Sequence, residues 1–267
     1  MGLDPTYVRS LLQGLWEATR QKTTILHWEN VLKLCRWAMQ QPRDIPGRKG
    51  GIMDQDPHWG WARKTAANLL ALGFETNRIP YDLRDLAWAV LEPVTDDPHP
   101  GPEDEPKGSG YQDFANHSIN TTRGEAMHAV IGYALWVRRA IDKEPDEKNR
   151  APKGFDQVPE VREVLDKHLD PAVDPSPTIR SVYGQWFPSL HFLDPDWAKA
   201  NLERVFPREQ DVEELRDAAW KTYIVYCKPF DEAFRVLHEQ YRNAIDRIGP
   251  SPEKEGGRPA PAQHLRF

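Results

Sequence analysis

The residues best placed to do chemistry fall in one mostly apolar stretch, NHSINTTRGEAMHAVIGYALWVRRAID, from Asn116 to Asp142. Within it, Glu125 and His128 form Glu-x-x-His. On a helix that spacing sets a carboxylate and an imidazole on one face, as carboxylate-bridged metal sites in helical bundles require. His117 would be the third ligand of such a centre. These sites also need a second Glu-x-x-His and further carboxylates, and the sequence holds no second copy. Thr122 and Glu125 meanwhile spell Thr-x-x-Glu, the capping box in which the hydroxyl takes the N3 amide proton and the carboxylate reaches back to the N-cap amide. That box gives Glu125 a structural task and leaves His128 as a packed core histidine. A metal-dependent helical-bundle enzyme using Glu125, His128 and His117 is therefore the second reading.

A different chemistry is written in PHWGWARK, Pro57 to Lys64. His58, Trp59, Trp61 and Arg63 cluster at the start of a helical pattern, and aromatics beside Arg and His suit binding to a ligand or a partner protein. Packing against a neighbouring helix competes with that reading. Arg123, near the start of the apolar stretch, is a further candidate contact. The run from Gly47 to Gly51, with Arg48 and Lys49, offers backbone amides and cations to an anion. It lacks the Gly-x-x-x-x-Gly-Lys-Ser/Thr order of a P-loop and reads as a solvated turn. No nucleophile elbow, HExxH or CxxC is present.

These residues must be positioned by a chain of 267 residues, long enough to bury a core. Its 39% hydrophobic and 28% charged residues fit a globular protein. A net charge of -6, with acids and bases interleaved, argues against a nucleic-acid surface, which needs clustered Lys and Arg. The two cysteines, Cys35 and Cys227, sit in apolar helical patterns and read as buried thiols. Met1 to Trp16 lacks the basic start and apolar centre of a signal peptide, and the longest apolar run is too short to cross a membrane. The expectation is a cytoplasmic protein.

Apolar residues recur with helical spacing through most of the chain. Val8, Leu11, Leu12, Leu15 and Ala18 form one stripe; Trp28, Val31, Leu32, Cys35 and Met39 a second; Ala62, Ala66, Leu69 and Leu70 a third; Leu83, Leu86, Ala87, Val90 and Leu91 a fourth. The segment 93–113, rich in Pro, Gly and acids, reads as a mobile surface loop. The stretch from Asn116 to Asp142 reads as one central helix, apolar nearly all round and buried on several faces. Shorter helices follow around Val158–Leu165, Ile179–Leu190, Trp197–Leu202, Val212–Tyr223 and Phe230–Ile245, starting about every 17 to 20 residues, the half-period of TPR- and HEAT-like helical pairs. The fold expected is all-α, an array of about ten antiparallel helices, a HEAT/TPR-like α-solenoid. Its parts are N-terminal hairpins over 1–92, the acidic loop over 93–113, a helical-repeat region over 114–248 and a disordered tail over 249–267.

Two segments, SINTTRGEAMHAVIGYALWVRR and IRSVYGQWFPSLHFLDPDWAKANLERVFP, resemble the helical-repeat C-terminal regions of large prokaryotic STAND-type NTPases and related antiviral defence proteins. The resemblance runs from about Tyr111 to Ile248. It is carried by the helix start Asn120-Thr121-Thr122-Arg123-Gly124-Glu125-Ala126 and by the Trp/Phe/Asp-Pro-x-Trp segment around Asp194 and Trp197. In that family an effector and a nucleotide-binding module precede an α-solenoid that senses a foreign protein. This sequence carries no Walker motif and no effector module, so the resemblance implies a sensor-like piece, detached or part of a longer protein. The expected function is non-catalytic recognition of a protein partner, with no cofactor and no membrane.

Overall fold

Three helices begin on the same short signal, an oxygen-bearing N-cap followed by proline. Asp4-Pro5, Ser176-Pro177 and Asp194-Pro195 each place a side-chain oxygen on a first-turn amide: Asp4 accepts from Thr6, Ser176 from Ile179 and Asp194 from Trp197. Proline at N1 loses nothing there, because its missing N–H would have no partner in the helix. The structure is a computed structural model, and it describes residues 4–21, 24–48, 58–107, 113–143, 153–228 and 231–247. The described residues are all-helical, with no strand and 13 α-helices.

The helices are α1 (Pro5–Arg20), α2 (Trp28–Met39), α3 (Gly60–Glu75), α4 (Arg84–Thr95), α5 (Phe114–Asn120), α6 (Thr122–Asp142) and α7 (Pro159–His168). They continue as α8 (Pro177–Leu193), α9 (Pro195–Ala200), α10 (Leu202–Val205), α11 (Glu213–Tyr226), α12 (Asp231–Val236) and α13 (His238–Asp246). Contacts run α1 on α3, α3 on α6, α6 on α8 and α8 on α11; α4 and α5 also pack on α6, and α2 on α4. Helix α6 is thus the hub. From Gly124 to Ile131 every residue is buried, which is why its sequence is apolar on all sides. No helix among the described residues is long and apolar enough to cross a membrane.

Two aromatic clusters flank the hub. Phe74 packs edge-on against Tyr133 at 5.4 Å between ring centroids, and Trp88 and Trp136 close on the same tyrosine. Beyond α8, Phe187, Phe206, Trp220, Tyr223 and Tyr241 form a second set of mostly edge-to-face pairs, the geometry aromatic quadrupoles favour. Helices α8 and α11 approach closely because Gly184 lies against the Ala219 carbonyl, where a Cβ would collide. Cys35 and Cys227 are buried free thiols, each pushed up to about 12 by burial.

The structure divides several elements that periodicity runs together. The stretch from Asn116 to Asp142 is two helices, broken at Thr121, whose φ of -112° and ψ of 154° are extended. The elbow is tight: a Cβ on Gly124 would run into the Ser118 carbonyl and the Thr121 hydroxyl. The helix expected to hold Trp197 and Leu202 is interrupted at Asn201, and the last one at Leu237. Leu11, expected to face inward, is exposed, since α1 packs on α3 and needs only the narrow face of Val8 and Leu12. The expected tail, the residues from Lys49 to Gly51 and those at 108–112 lie outside the described residues.

The acidic segment after α4 is tied down as a strap. The Asp97 carboxylate is buried and accepts from Arg43 Nε at 3.3 Å, Arg63 Nη1 at 3.4 Å and the His99 amide at 3.1 Å. Arg123 donates to the carbonyls of Asp97 and Pro100 at 2.7 and 2.8 Å, and its Nε lies 3.1 Å from Asp174. Asp174 in turn pairs with His168 Nδ1 at 2.8 Å. Glu105 accepts from the hydroxyls of Ser176 and Thr178, and Asp96 from Lys167 at 2.6 Å. Composition alone reads these acids as solvated. Their specific cationic and hydroxyl partners lie up to 73 residues away in sequence (Glu105 with Thr178), beyond the reach of local pattern.

Candidate functional site

The first turn of α6 decides what Glu125 does. The N-cap is Thr121, one residue earlier than the capping-box pattern requires, and its side chain makes no cap hydrogen bond. Thr122 is already helical and donates its hydroxyl to the Gly60 carbonyl at 3.3 Å. The orphan amides are met from the strap instead: His99 accepts from Arg123 N through its carbonyl at 2.8 Å and from Thr122 N through Nδ1 at 3.3 Å. The box does not form, because a partner distant in sequence takes its place. Glu125 therefore turns toward α3, where Oε1 accepts from Asn68 Nδ2 at 2.7 Å. Its Oε2 is buried without a hydrogen-bond partner. Burial raises this carboxyl to about 7, opposed by the nearby Lys64 cation and the Asn68 hydrogen bond.

His128 is engaged at both nitrogens. Trp186 Nε1–H donates to Nδ1 at 2.7 Å, which leaves the proton of the neutral ring on Nε2 to donate to Ser118 Oγ at 2.8 Å. Ser118 passes its own proton to the Ala115 carbonyl at 2.7 Å. Burial lowers this imidazole to about 4. His117 is on the short helix α5, with Nε2 buried and unpartnered. Among the described residues no group of three His, Cys, Asp or Glu is disposed to hold a metal ion, so His117, Glu125 and His128 are not brought together as a ligand set.

The four residues from PHWGWARK separate. Trp59 is buried and meets Trp37 edge-on at 5.5 Å. His58 Nδ1 accepts from the Ile45 amide at 2.9 Å. Arg63 donates to the Met39 and Gln41 carbonyls at 3.3 and 2.7 Å, closing the C-terminal end of α2 and joining the strap through Asp97. Arg123 is the centre of that strap. Of the five candidates, Trp61 lines an opening.

That opening is a cleft of about 420 Å³ between α1 and α3. Arg9, Gln13 and Trp16 supply one wall, spaced i, i+4, i+7 on α1. Trp61, Lys64, Thr65 and Asn68 supply the other, at i, i+3, i+4, i+7 on α3, and Asn120 closes the end from α5. Each wall is thus one stripe of a helix, set by period 3.6. The Arg9 guanidinium lies 4.3 Å from the centroid of the Trp61 ring, a cation–π contact that orients both. Lys64 Nζ is 3.4 Å from Asn120 Oδ1, and burial lowers this ammonium against the pull of Glu125, with Arg9 adding to the lowering. Thr65 spends its hydroxyl on the Trp61 carbonyl at 2.8 Å.

The cleft presents cations, indoles and amides, and no nucleophile paired with a base. It is suited to holding a ligand that is both anionic and aromatic. Sequence reasoning found Trp61 and missed Arg9, Gln13, Trp16, Lys64, Asn68 and Asn120. The signal was available as a polar stripe beside the apolar stripe of α1, but only the pairing of α1 with α3 gives it a facing wall. Comparisons with family models, curated proteins and solved structures find no match to the chain.

Proposed function

We propose that this protein is a non-catalytic recognition module that seats a segment of a partner protein in the cleft between α1 and α3. The observation that carries the reading is the facing of Arg9 and Trp16 on α1 with Trp61 and Lys64 on α3, half-buried around a cleft of about 420 Å³. The few residues that dominate binding energy at protein interfaces are enriched in tryptophan and arginine and sit in pockets that binding desolvates. His128, the imidazole of the Glu-x-x-His pair, is occupied at both ring nitrogens, which also favours recognition over turnover. The succession α1, α3, α6, α8, α11, with helices starting at Pro159, Pro177, Pro195, Glu213 and Asp231, supports an α-solenoid of HEAT/TPR type. On that reading the chain acts as the sensor-like part of a STAND NTPase-type antiviral defence protein and meets its partner in the cytoplasm.

Selection of a displayed random peptide library on the purified protein tests the cleft. Enriched peptides are expected to combine an acid with an aromatic residue and to lose binding to Trp61→Ala and Arg9→Ala. Enrichment of peptides that bind the wild type and both variants equally would overturn the assignment.

A further inference from the structure

We infer that the partner segment enters the cleft through a carboxylate side chain, and that its seating is linked to uptake of one proton by Glu125. The inference rests on the recognition reading above and adds the chemistry and regulation of the same site. Lys64 brings a cation to the α3 wall of the cleft, opposite the Arg9 guanidinium that lies over the Trp61 ring, and its ammonium is complementary to an acidic segment. Directly behind the α3 wall, Asn68 joins the cleft to Glu125, with Oε1 held at 2.7 Å and Oε2 buried and unpartnered. Glu125 is 5% exposed.

A carboxylate in that position remains ionised only with help. The help comes from α3, as the Lys64 cation and the Asn68 hydrogen bond, while Arg9 of α1 acts on Lys64. The other helices packed on α6, namely α4, α5, α7 and α8, contribute no charge that shifts Glu125. Burial and the Lys64 field leave the carboxyl titrating at about 7. An incoming carboxylate that pairs with Lys64 neutralises the field that keeps Glu125 ionised, and Glu125 takes a proton. By reciprocity, a protonated Glu125 leaves the cleft more positive and strengthens the acidic ligand. The site therefore holds an acidic segment tightly below neutral pH and releases it as pH rises through about 7.

The test uses the full chain and the acetylated, amidated hexapeptide Glu-Trp-Glu-Glu-Trp-Glu, whose own carboxyls are ionised throughout the range. Its affinity is measured by calorimetry at pH 6 and pH 8, in two buffers of different ionisation enthalpy at constant ionic strength. The expected result is a fall in affinity of roughly three- to tenfold from pH 6 to pH 8, on the scale of one charge at cleft distance, with net proton uptake near pH 7. Glu125→Gln keeps a carbonyl for Asn68 and mimics the protonated acid, so its affinity is expected to match the wild type at pH 6 and to stay flat. Binding that is equal at both pH values, or equally pH-dependent in Glu125→Gln, overturns the proton linkage and leaves the recognition reading in place. Absence of binding at millimolar peptide at either pH, with the fold intact by circular dichroism, overturns the recognition reading and this inference with it.

Discussion

The strap around Asp97 and the cleft around Trp61 are built from the same side-chain types and put to opposite uses. In the strap, Arg43, Arg63 and Arg123 close on Asp97, Asp174 and backbone carbonyls, and little of them faces solvent. In the cleft, Arg9 and Lys64 flank two tryptophans with volume left over for another molecule. Among the described residues, the difference lies in whether a loop crosses the groove. Residues 96–107 cross the N-terminus of α6 and supply acids where the cations are; the groove between α1 and α3 has no such crossing among the described residues. A patch of arginine and aromatics in sequence is therefore ambiguous until the chain that covers it, or leaves it open, is placed.

Asp97→Ala should be the most damaging of the informative changes. It leaves Arg43 and Arg63 without their shared carboxylate, and removing one partner of a buried ionic set costs about 3–5 kcal/mol. Urea unfolding measures it; a loss under ~1 kcal/mol would mean that the strap is ornamental and the contrast with the cleft is false.

Glu125 lies between the two regions and gives a pH signature. Its folded value of about 7 is above the unfolded value of 4.5, so the native state holds the proton more tightly. The associated stability is fully present below pH 4.5 and is lost as pH rises toward and through 7, on the order of 3 kcal/mol in all. Glu125→Gln should remove that slope in denaturation curves taken across the window. A slope unchanged in the variant would show that the carboxyl is not held as described.

Two glycines sharpen the comparison at smaller scale. Gly124→Ala drives a methyl into the Ser118 carbonyl at the elbow under the strap and should cost about 1–3 kcal/mol. Gly14→Ala on α1 meets nothing within 4 Å and should stabilise the helix by about 0.5–1 kcal/mol. Thermal melts that shift in the same direction for both would contradict the close approach. Smallest of all in stability, Trp61→Ala is expected to change unfolding by about 1 kcal/mol or less, because the ring is half-buried at a cleft, while abolishing peptide binding. A large loss of stability would instead make Trp61 a packing residue like Trp59.

The helices were legible wherever one buried face repeats at 3.6 residues, as in α2, α3 and α4, and where the apolar run is unbroken, as in α6. Boundaries failed where tertiary contacts set them. The Thr-x-x-Glu pattern located the start of α6 to within one residue, but its chemistry was wrong, because His99 Nδ1 reaches the Thr122 amide that Glu125 would have served. Trp59 and Trp61 are indistinguishable in composition; two residues apart on a helix they face in different directions, and only the position of α2 and Trp37 tells which one is core. The cleft could not be read at all from either wall alone.

The path of the strap has a mechanical consequence. Arg43 and Arg63 hold Asp97 from the side of α2 and α3, and Arg123 passes the linkage on to Asp174 ahead of α8. A row of stacked helices joined only to nearest neighbours can fray inward from either end. Here the early and late helices are laced together across the middle, so melting that begins at α1 must either stop at α3 or take the later helices with it. The lacing makes the succession of helices behave as one cooperative body, and it gives the cleft between α1 and α3 a rigid backing.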